Sequence, residues 1–537
     1  MTDIDSSPAA AAAVPAEPAR TAVGTTIARN SFWLLLDSVY GMAAAFYCSI
    51  AVARGLGPDR MGDYNYVIWF ASVLRLVTEM AIPMTFRKFA AELMGREDYP
   101  MLKALVRYSM RVQVVLAFVG VSIGLVIALA VVGQGRRFFV TLAVVSVVPA
   151  LLLSIPTGAL QATEKLRHFV LGSLIGVTVN LVGITLSVVF HWGLMGVMVS
   201  FVSARFVDCA FRYAFFLRIY SKLPGTAAPA LDPALRKRLF GFALRQLPQI
   251  VFQILLWERM EVFFLKKLAA TRDIAFFSIS VTLIQYVMQL PASLAGSAGT
   301  TLMVQQGRAP GEVARIATTA IWFTMLLAAP ALFGVASVAD PLLRVLYGAR
   351  YLDAIPVLTV LGLVTVTMAL QLPLGPFLLA TEQQNFIIFW GSVQVVVSVA
   401  SCLLLVPRLG ATGAALSRGI CHFVGVTGFL AFIVWRFKVP MPVGRMIKLL
   451  VACTAMFVAV RLVQRPLPAL AGLVVGIPVG AAIFVVATRL LGFLDSADRG
   501  RLQRLGRMLP ARARGAYSTL VDFLARAVPD MPRPISG

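Results

Sequence analysis

Seven stretches of this chain (112–132, 138–163, 274–307, 316–339, 354–381, 383–407 and 466–488) contain no Asp, Glu, Lys or Arg. Each is close to or above the roughly 20 residues that a helix needs to cross about 30 Å of hydrocarbon. Inside a bilayer, backbone N–H and C=O groups find no water, so only helices and closed barrels can span it; continuous apolar runs of this length indicate helices. Seven further stretches (31–53, 64–86, 169–190, 194–217, 239–265, 409–435 and 446–463) are interrupted by one or a few ionisable groups. The predicted fold class is therefore an all-α polytopic membrane protein of about 14 transmembrane helices. The weakest span is 446–463, with Lys448 and Arg461 near its ends, so a count of 13 is the alternative. Composition agrees: 59% of residues are hydrophobic and only 13% charged, against roughly 25% charged in soluble domains.

A net charge of +24 in a soluble protein would point to nucleic acid. Here the lysines and arginines fall mainly on the side of the spans that holds both termini, so the positive-inside rule places both termini in the cytosol of a cell whose inner membrane carries the protein. The tail 494–527 alternates arginine with Leu, Met, Phe and Val, which suits a basic amphipathic helix on anionic headgroups. No aromatic stacking platform accompanies that charge, so no nucleic-acid partner is expected. Cys48, Cys209, Cys402, Cys421 and Cys453 all lie in apolar spans without metal-ligand spacing, so neither a disulfide framework nor a metal site is expected. Residues 1–23 lack a basic n-region and a long apolar core and read as a disordered cytosolic tail.

The chain also repeats itself. "ATEKLRHF" from Ala162 is echoed by "ATEQQNF" from Ala380, and "GLMGV" from Gly193 by "GATGA" from Gly410. Aligning these places one unit at 24–222, a linker at 223–235 and a second unit at 236–438, followed by two added spans within 439–491 and the tail 492–537. Each unit has six spans, an even number, so both enter the membrane from the same side as parallel bundles. The repeated Thr-Glu is read as a helix N-cap with its acid at the positive end of the helix, and the Gly pairs as tight turns and close helix approaches.

In order and spacing, the turn "ARGLGPDRMGDYNY", the stretch "LLRVLYGARYLDAIPVLTVLGL", the turn "LATEQQNF" and "LGATGAALSRGI" resemble the Wzx-type polysaccharide flippases. Those flippases belong to the multidrug/oligosaccharidyl-lipid/polysaccharide (MOP) exporter superfamily. The resemblance covers roughly residues 25–490. It implies two six-helix bundles, as in MATE transporters, that open alternately to the two sides, and an undecaprenyl pyrophosphate-linked oligosaccharide as cargo. Membrane lipids, and a polysaccharide polymerase or co-polymerase, are the partners this implies.

Arginines within spans carry the remaining signal, because each costs about 2.5–3.5 kcal/mol at mid-bilayer and so calls for a partner. Local spacing pairs Arg75 with Glu79 and Arg205 with Asp208, and places Arg259 beside Glu258 and Glu261. Arg245 and Arg418 have no acid one turn away; Asp37 or an anionic ligand is the expected partner, and His422 lies one turn beyond Arg418. The candidate cavity residues are accordingly Arg75, Arg205, Arg245, Arg418 and His422. Asp37, Glu79, Asp208, Glu258 and Glu261 are the candidate charge partners or ion-coupling acids. Prolines within spans, among them Pro83, Pro149, Pro156, Pro248, Pro291, Pro330, Pro373 and Pro376, mark candidate bending points.

Three transport readings stay open. A flippase for lipid-linked oligosaccharide fits the excess of arginine over acid. A MATE-like exporter of cations coupled to H⁺ or Na⁺ shares the architecture, but resemblance to that branch implies an acid near the outer end of the first span, where this chain has Ser49; the second-unit counterpart is Glu261. A lipid II flippase also has 14 spans, without matching motifs here. A polytopic enzyme is disfavoured, since no outward loop gathers a Ser/His/Asp set or a Gly-rich phosphate loop. No cofactor is expected.

Overall fold

The apolar runs become helices throughout a computed structural model that describes residues 18–130, 134–162, 166–222, 230–308, 310–506 and 511–524. In chain order these are α1 (Pro18–Glu79), α2 (Ile82–Gly95), α3 (Tyr99–Ala130), α4 (Gln134–Ala162), α5 (Leu166–Val189), α6 (Gly193–Tyr220), α7 (Pro233–Phe252), α8 (Glu261–Leu268), α9 (Thr271–Arg308), α10 (Pro310–Ser337), α11 (Ala339–Leu346), α12 (Ile355–Gln371), α13 (Leu374–Ala380), α14 (Gln384–Phe437), α15 (Val443–Gln464), α16 (Ala469–Leu491), α17 (Ser496–Gly506) and α18 (Ala511–Leu524). The described residues contain no strand. Twelve helices among them are long and apolar enough to cross a membrane, so the chain is a multi-pass membrane protein.

Two of the twelve are too long for one crossing. Ser31–Glu79 has 49 residues and Gln384–Phe437 has 54; at about 1.5 Å per residue each exceeds twice the hydrocarbon thickness. Both break at a glycine. Gly57 (φ 73, ψ 172) and Gly410 (φ 55, ψ −130) adopt conformations that a side chain strongly disfavours.

Helices α1 and α3–α6 pack on one another, chiefly α5 and α4 on α6, α1 on α5 and α3 on α4, while α9, α10, α12 and α14 form a second set that α15 joins through α10. The two sets meet where α1 crosses α8 and α9, and where α2 touches α7. Close approach is essential at the first contact, because a Cβ on Gly62 would run into the Thr271 carbonyl.

Three helix breaks carry a proline nearby. After Glu79, Met80 and Ala81 take left-handed φ of 43° and 62° before α2 starts with Pro83 in its first turn. Pro248 precedes a π-helical turn, Gln253–Trp257, and a break in which Arg259 has φ 55°. Pro373 lies between α12 and α13. Pro149, Pro156, Pro291 and Pro330 instead sit inside unbroken α-helices.

Two local expectations need correction. Thr381 does not cap a helix N-terminus: it ends α13, its hydroxyl donating to the carbonyls of Phe377 (3.0 Å) and Leu378 (3.3 Å). Its counterparts Thr163 and Glu164 lie outside the described residues. The tail is also more than a headgroup-lying helix. Asp498 of α17 is 1% exposed, accepts from Trp322 Nε1 at 3.1 Å and pairs with Arg445, whose guanidinium lies 4.2 Å from the Trp322 ring. Polar side chains thus fasten α17 to α10 and α15.

Candidate functional site

Where α1, α2, α4 and α6 converge, they enclose a cavity of about 440 Å³. Arg75 and Glu79 come from the end of α1, Arg87 from α2, and Arg205, Asp208 and Arg212 from α6; Ser154, Thr157 and Gln161 of α4 add neutral polar groups. Two internal ion pairs form. Arg75 Nη1 lies 3.1 Å from Glu79 Oε1, and Arg212 Nε lies 2.5 Å from Asp208 Oδ1. Arg205 therefore loses its expected partner, because the i,i+4 neighbour Arg212 takes Asp208 instead. Arg205 rests against the Phe201 ring, 5.1 Å from its centroid.

Neither Arg87 nor Arg205 has a carboxylate within 4 Å among the described residues. Four guanidinium groups and two carboxylates line the cavity, a surplus of two positive charges along its wall. A smaller space of about 190 Å³ continues past Arg205, Asp208 and Arg212 toward α1 and α5. Asn180 lines it with a buried Oδ1 that has no hydrogen-bond partner. Asp37 on α1 is close enough to act electrostatically on Asp208. The glycines of α5 make the arrangement fit: a Cβ on Gly176 would stand 2.6 Å from Asp208 Cβ, and one on Gly172 would strike the Arg212 side chain.

The second half of the chain treats its charges differently. Arg418 of α14 is 7% exposed and its Nη1 lies 3.2 Å from both oxygens of Glu261, itself 4% exposed. The expectation that Asp37 or a ligand neutralises Arg418 is thus corrected. The break before α8 aims Glu261 at α14 and sends Arg259 elsewhere, to Gln285 Oε1 (2.6 Å) and Thr282 Oγ1 (3.4 Å). His422, 3% exposed, is likewise interior: its Nδ1 lies 3.0 Å from Gln371 Oε1, its ring packs on Trp257, and its Nε2 has no partner. Arg245 is exposed near the start of the span and donates from Nε to the Gly241 carbonyl at 3.1 Å. Arg245, Arg418 and His422 therefore lie apart from the basic cavity, whereas Arg75 and Arg205 line it together with Glu79 and Asp208. Glu258 contributes its main-chain carbonyl, which accepts from Trp69 Nε1 at 2.7 Å.

Sequence reasoning missed Arg87 and Arg212. Arg87 falls one residue past the predicted span 64–86 and Arg212 falls within the predicted span 194–217, and α2 and α6 carry both to the cavity wall. Gly172 and Gly176, four residues apart on the facing helix, are the signal that could have found Arg212.

The halves are pinned at one end. Arg54 donates to the carbonyls of Leu346 (2.8 Å) and Val345 (2.5 Å), Tyr351 donates to Ala53 O (2.8 Å), Ser49 and Tyr347 share a hydrogen bond (3.2 Å), and Lys266 pairs with Asp63 (3.3 Å). At the other end the seam is α2 on α7, with the Phe89 and Phe242 rings 6.0 Å apart edge to face.

Solved structures share this architecture. "Lipid II flippase MurJ, inward closed conformation" aligns with a TM-score of 0.67 at 14% identity, covering 86% of this chain and 98% of that one. The inward-facing conformation of a multidrug resistance MATE family transporter of the MOP superfamily gives 0.61 at 16%, covering 74% and 94%. The outward-facing conformation of such a transporter gives 0.53 at 16%, covering 77% and 95%. The fold is that of MOP superfamily transporters. No curated protein matches the chain by sequence. Residues 51–356 match the family model described as "Polysaccharide biosynthesis protein", which is more than half of the 537 residues, and the chain belongs to that family of polysaccharide biosynthesis proteins.

Proposed function

We propose that this protein flips an oligosaccharide linked to a polyprenyl pyrophosphate, undecaprenyl pyrophosphate in bacteria, across the inner membrane for surface polysaccharide synthesis. The observation that carries the proposal is the pair of guanidinium groups without a direct ion pair among the described residues, Arg87 and Arg205, in a polar cavity of the first half. A diphosphate offers such groups oxygens that accept charge-assisted hydrogen bonds, and arginine's fixed fork suits that geometry. Membership of a polysaccharide biosynthesis family points to the same kind of cargo. Only non-covalent steps are needed, so the protein acts as a transporter and not as an enzyme.

In this account Gly57 and Gly410 each separate two crossings, giving 14. Residues 24–222 and 236–438 form two lobes, 439–491 adds two helices, and both termini are cytosolic. The contacts of Arg54, Tyr347 and Tyr351 then close the outer side, and cargo enters from the cytosolic leaflet. Glu79 and Asp208 are the acids best placed to couple H⁺ or Na⁺ to cargo release, since both already bind the arginines of the cavity.

A MATE-like cation exporter is the second reading, favoured by the fold alone; two surplus positive charges in the cavity would repel such a cargo. Deletion of the gene tests the proposal. Lipid-linked oligosaccharide should accumulate on the cytosolic leaflet while surface polysaccharide falls. Normal leaflet distribution in the deletion strain would reject it.

A further inference from the structure

Helix α2 has a different chemistry on each side. Pro83, Met84 and Arg87 face the basic cavity with Glu79, while Ile82 and Phe86 face a second space, about 250 Å³, completed by Val112 and Leu116 of α3 and by Phe240 and Leu244 of α7. That second space is a groove walled almost wholly by carbon. One polar atom is stranded there: Thr85 is 5% exposed, lines the groove, and its Oγ1 has no hydrogen-bond partner.

The partition is bought with backbone strain. Met80 and Ala81 both lie in the left-handed region without being glycine, at about 1 kcal/mol or more each. Their turn aims Glu79 at the cavity and Ile82 at the groove. The groove also lies on the seam between the halves, because α7 meets α2 through the Phe89–Phe242 contact while Phe240, 67% exposed, and Leu244 remain open to the surroundings.

We infer that the groove between α2, α3 and α7 holds the isoprenoid chain of the same molecule whose diphosphate lies among Arg87 and Arg205, with α2 as the divider between head and chain. The inference rests on the function proposed above and adds where the chain goes. Hydrophobicity alone does not select an occupant here, since bilayer lipid tails are as apolar as the groove walls. Selection comes from charge and tethering. A zwitterionic phospholipid brings no net charge to a cavity lined by more arginine than acid, whereas a bound diphosphate holds its own chain beside the groove and makes entry intramolecular.

The test uses the full chain in nanodiscs of zwitterionic phospholipid, with a polyprenyl diphosphate carrying a diazirine on its first isoprene units. Photolabelled residues are mapped by mass spectrometry. Labelling is expected at Val112–Leu116 and Phe240–Leu244, falling at least fivefold when Ala243→Trp fills the groove and when excess unlabelled polyprenyl diphosphate competes. Thermal melting verifies that Ala243→Trp is folded; if it is not, the competition arm decides. Labelling confined to other faces overturns the inference, as does equal labelling of the groove by a phospholipid with the same diazirine on its acyl chain.

Binding of the diphosphate head is read separately, from the effect of Arg87→Ala with Arg205→Ala. If the double variant still binds diphosphate normally while the groove is labelled, the head assignment fails and the groove assignment stands. If binding needs both arginines but the groove stays unlabelled, the chain assignment fails alone.

Discussion

The two halves of this protein hold arginine in opposite ways. In the second half, Arg418 meets a single carboxylate, Glu261, in the interior, and both are nearly inaccessible. In the first half, Arg75, Arg87, Arg205 and Arg212 share two carboxylates around an open cavity. A closed pair offers no net charge to a ligand. A surplus of guanidinium beside a cavity does, and it remains costly until an anion arrives. The same residue type thus serves as internal structure in one half and as a candidate binding group in the other.

The sharpest way to break that comparison is to remove one member of the closed pair. Glu261→Gln leaves Arg418 buried without a counter-charge, which costs about 3–5 kcal/mol, so folded protein recovered by size-exclusion chromatography should fall sharply. Replacing both, Glu261→Gln with Arg418→Met, should restore most of it. If the double variant transports normally, Arg418 plays no part in cargo binding.

Next in size is the open cavity. Arg87→Ala and Arg205→Ala should each leave the melting temperature within a few degrees of wild type. Each should weaken polyprenyl diphosphate binding about 10- to 100-fold, as expected from the roughly 1.5–3 kcal/mol of a charge-assisted hydrogen bond. Loss of folding instead would make the first half structurally like the second.

A smaller effect is expected at the seam that joins them. Tyr351→Phe removes the hydrogen bond to Ala53 O, worth about 1 kcal/mol, so the outward-open population should rise about fivefold. Accessibility of a cysteine introduced at Ser49 to a membrane-impermeant thiol reagent measures this. Arg245→Ala should change both stability by less than about 0.5 kcal/mol and transport not at all, since Arg245 bonds its own helix at an exposed position.

Much of the fold was legible because hydrocarbon enforces a simple rule: where no charge occurs over a bilayer's thickness, a helix forms. Gly57 and Gly410 were legible too, the first inside a hydrophilic turn and the second in a glycine pair that suits a tight turn. Pairings across the fold were not. Glu261 and Arg418 are 157 residues apart, and only the break at Glu258–Met260 turns Glu261 away from its sequence neighbour Arg259 and toward α14. Arg205 and Asp208 misled for a subtler reason. Residue spacing allows i,i+3 and i,i+4 partners alike, and Arg212 holds the better-placed nitrogen. The cavity itself stayed hidden because Arg87 looks like an interfacial residue when spans are drawn by hydropathy, while the helical path runs on through α2, and because nothing in the sequence says that Arg212 of α6 faces the same space.

The central claim is that the surplus positive charge at Arg87 and Arg205 holds an anionic lipid-linked cargo. Its most direct test is a leaflet-resolved transport assay in proteoliposomes, using a fluorescent oligosaccharide on a polyprenyl diphosphate, alongside a cationic dye. Wild-type protein should move the lipid-linked sugar and not the dye, and the Arg87→Ala, Arg205→Ala double variant should lose at least tenfold in rate while remaining folded. Transport of the lipid-linked sugar by that variant at the wild-type rate, or of the dye alone by the wild type, would contradict the account.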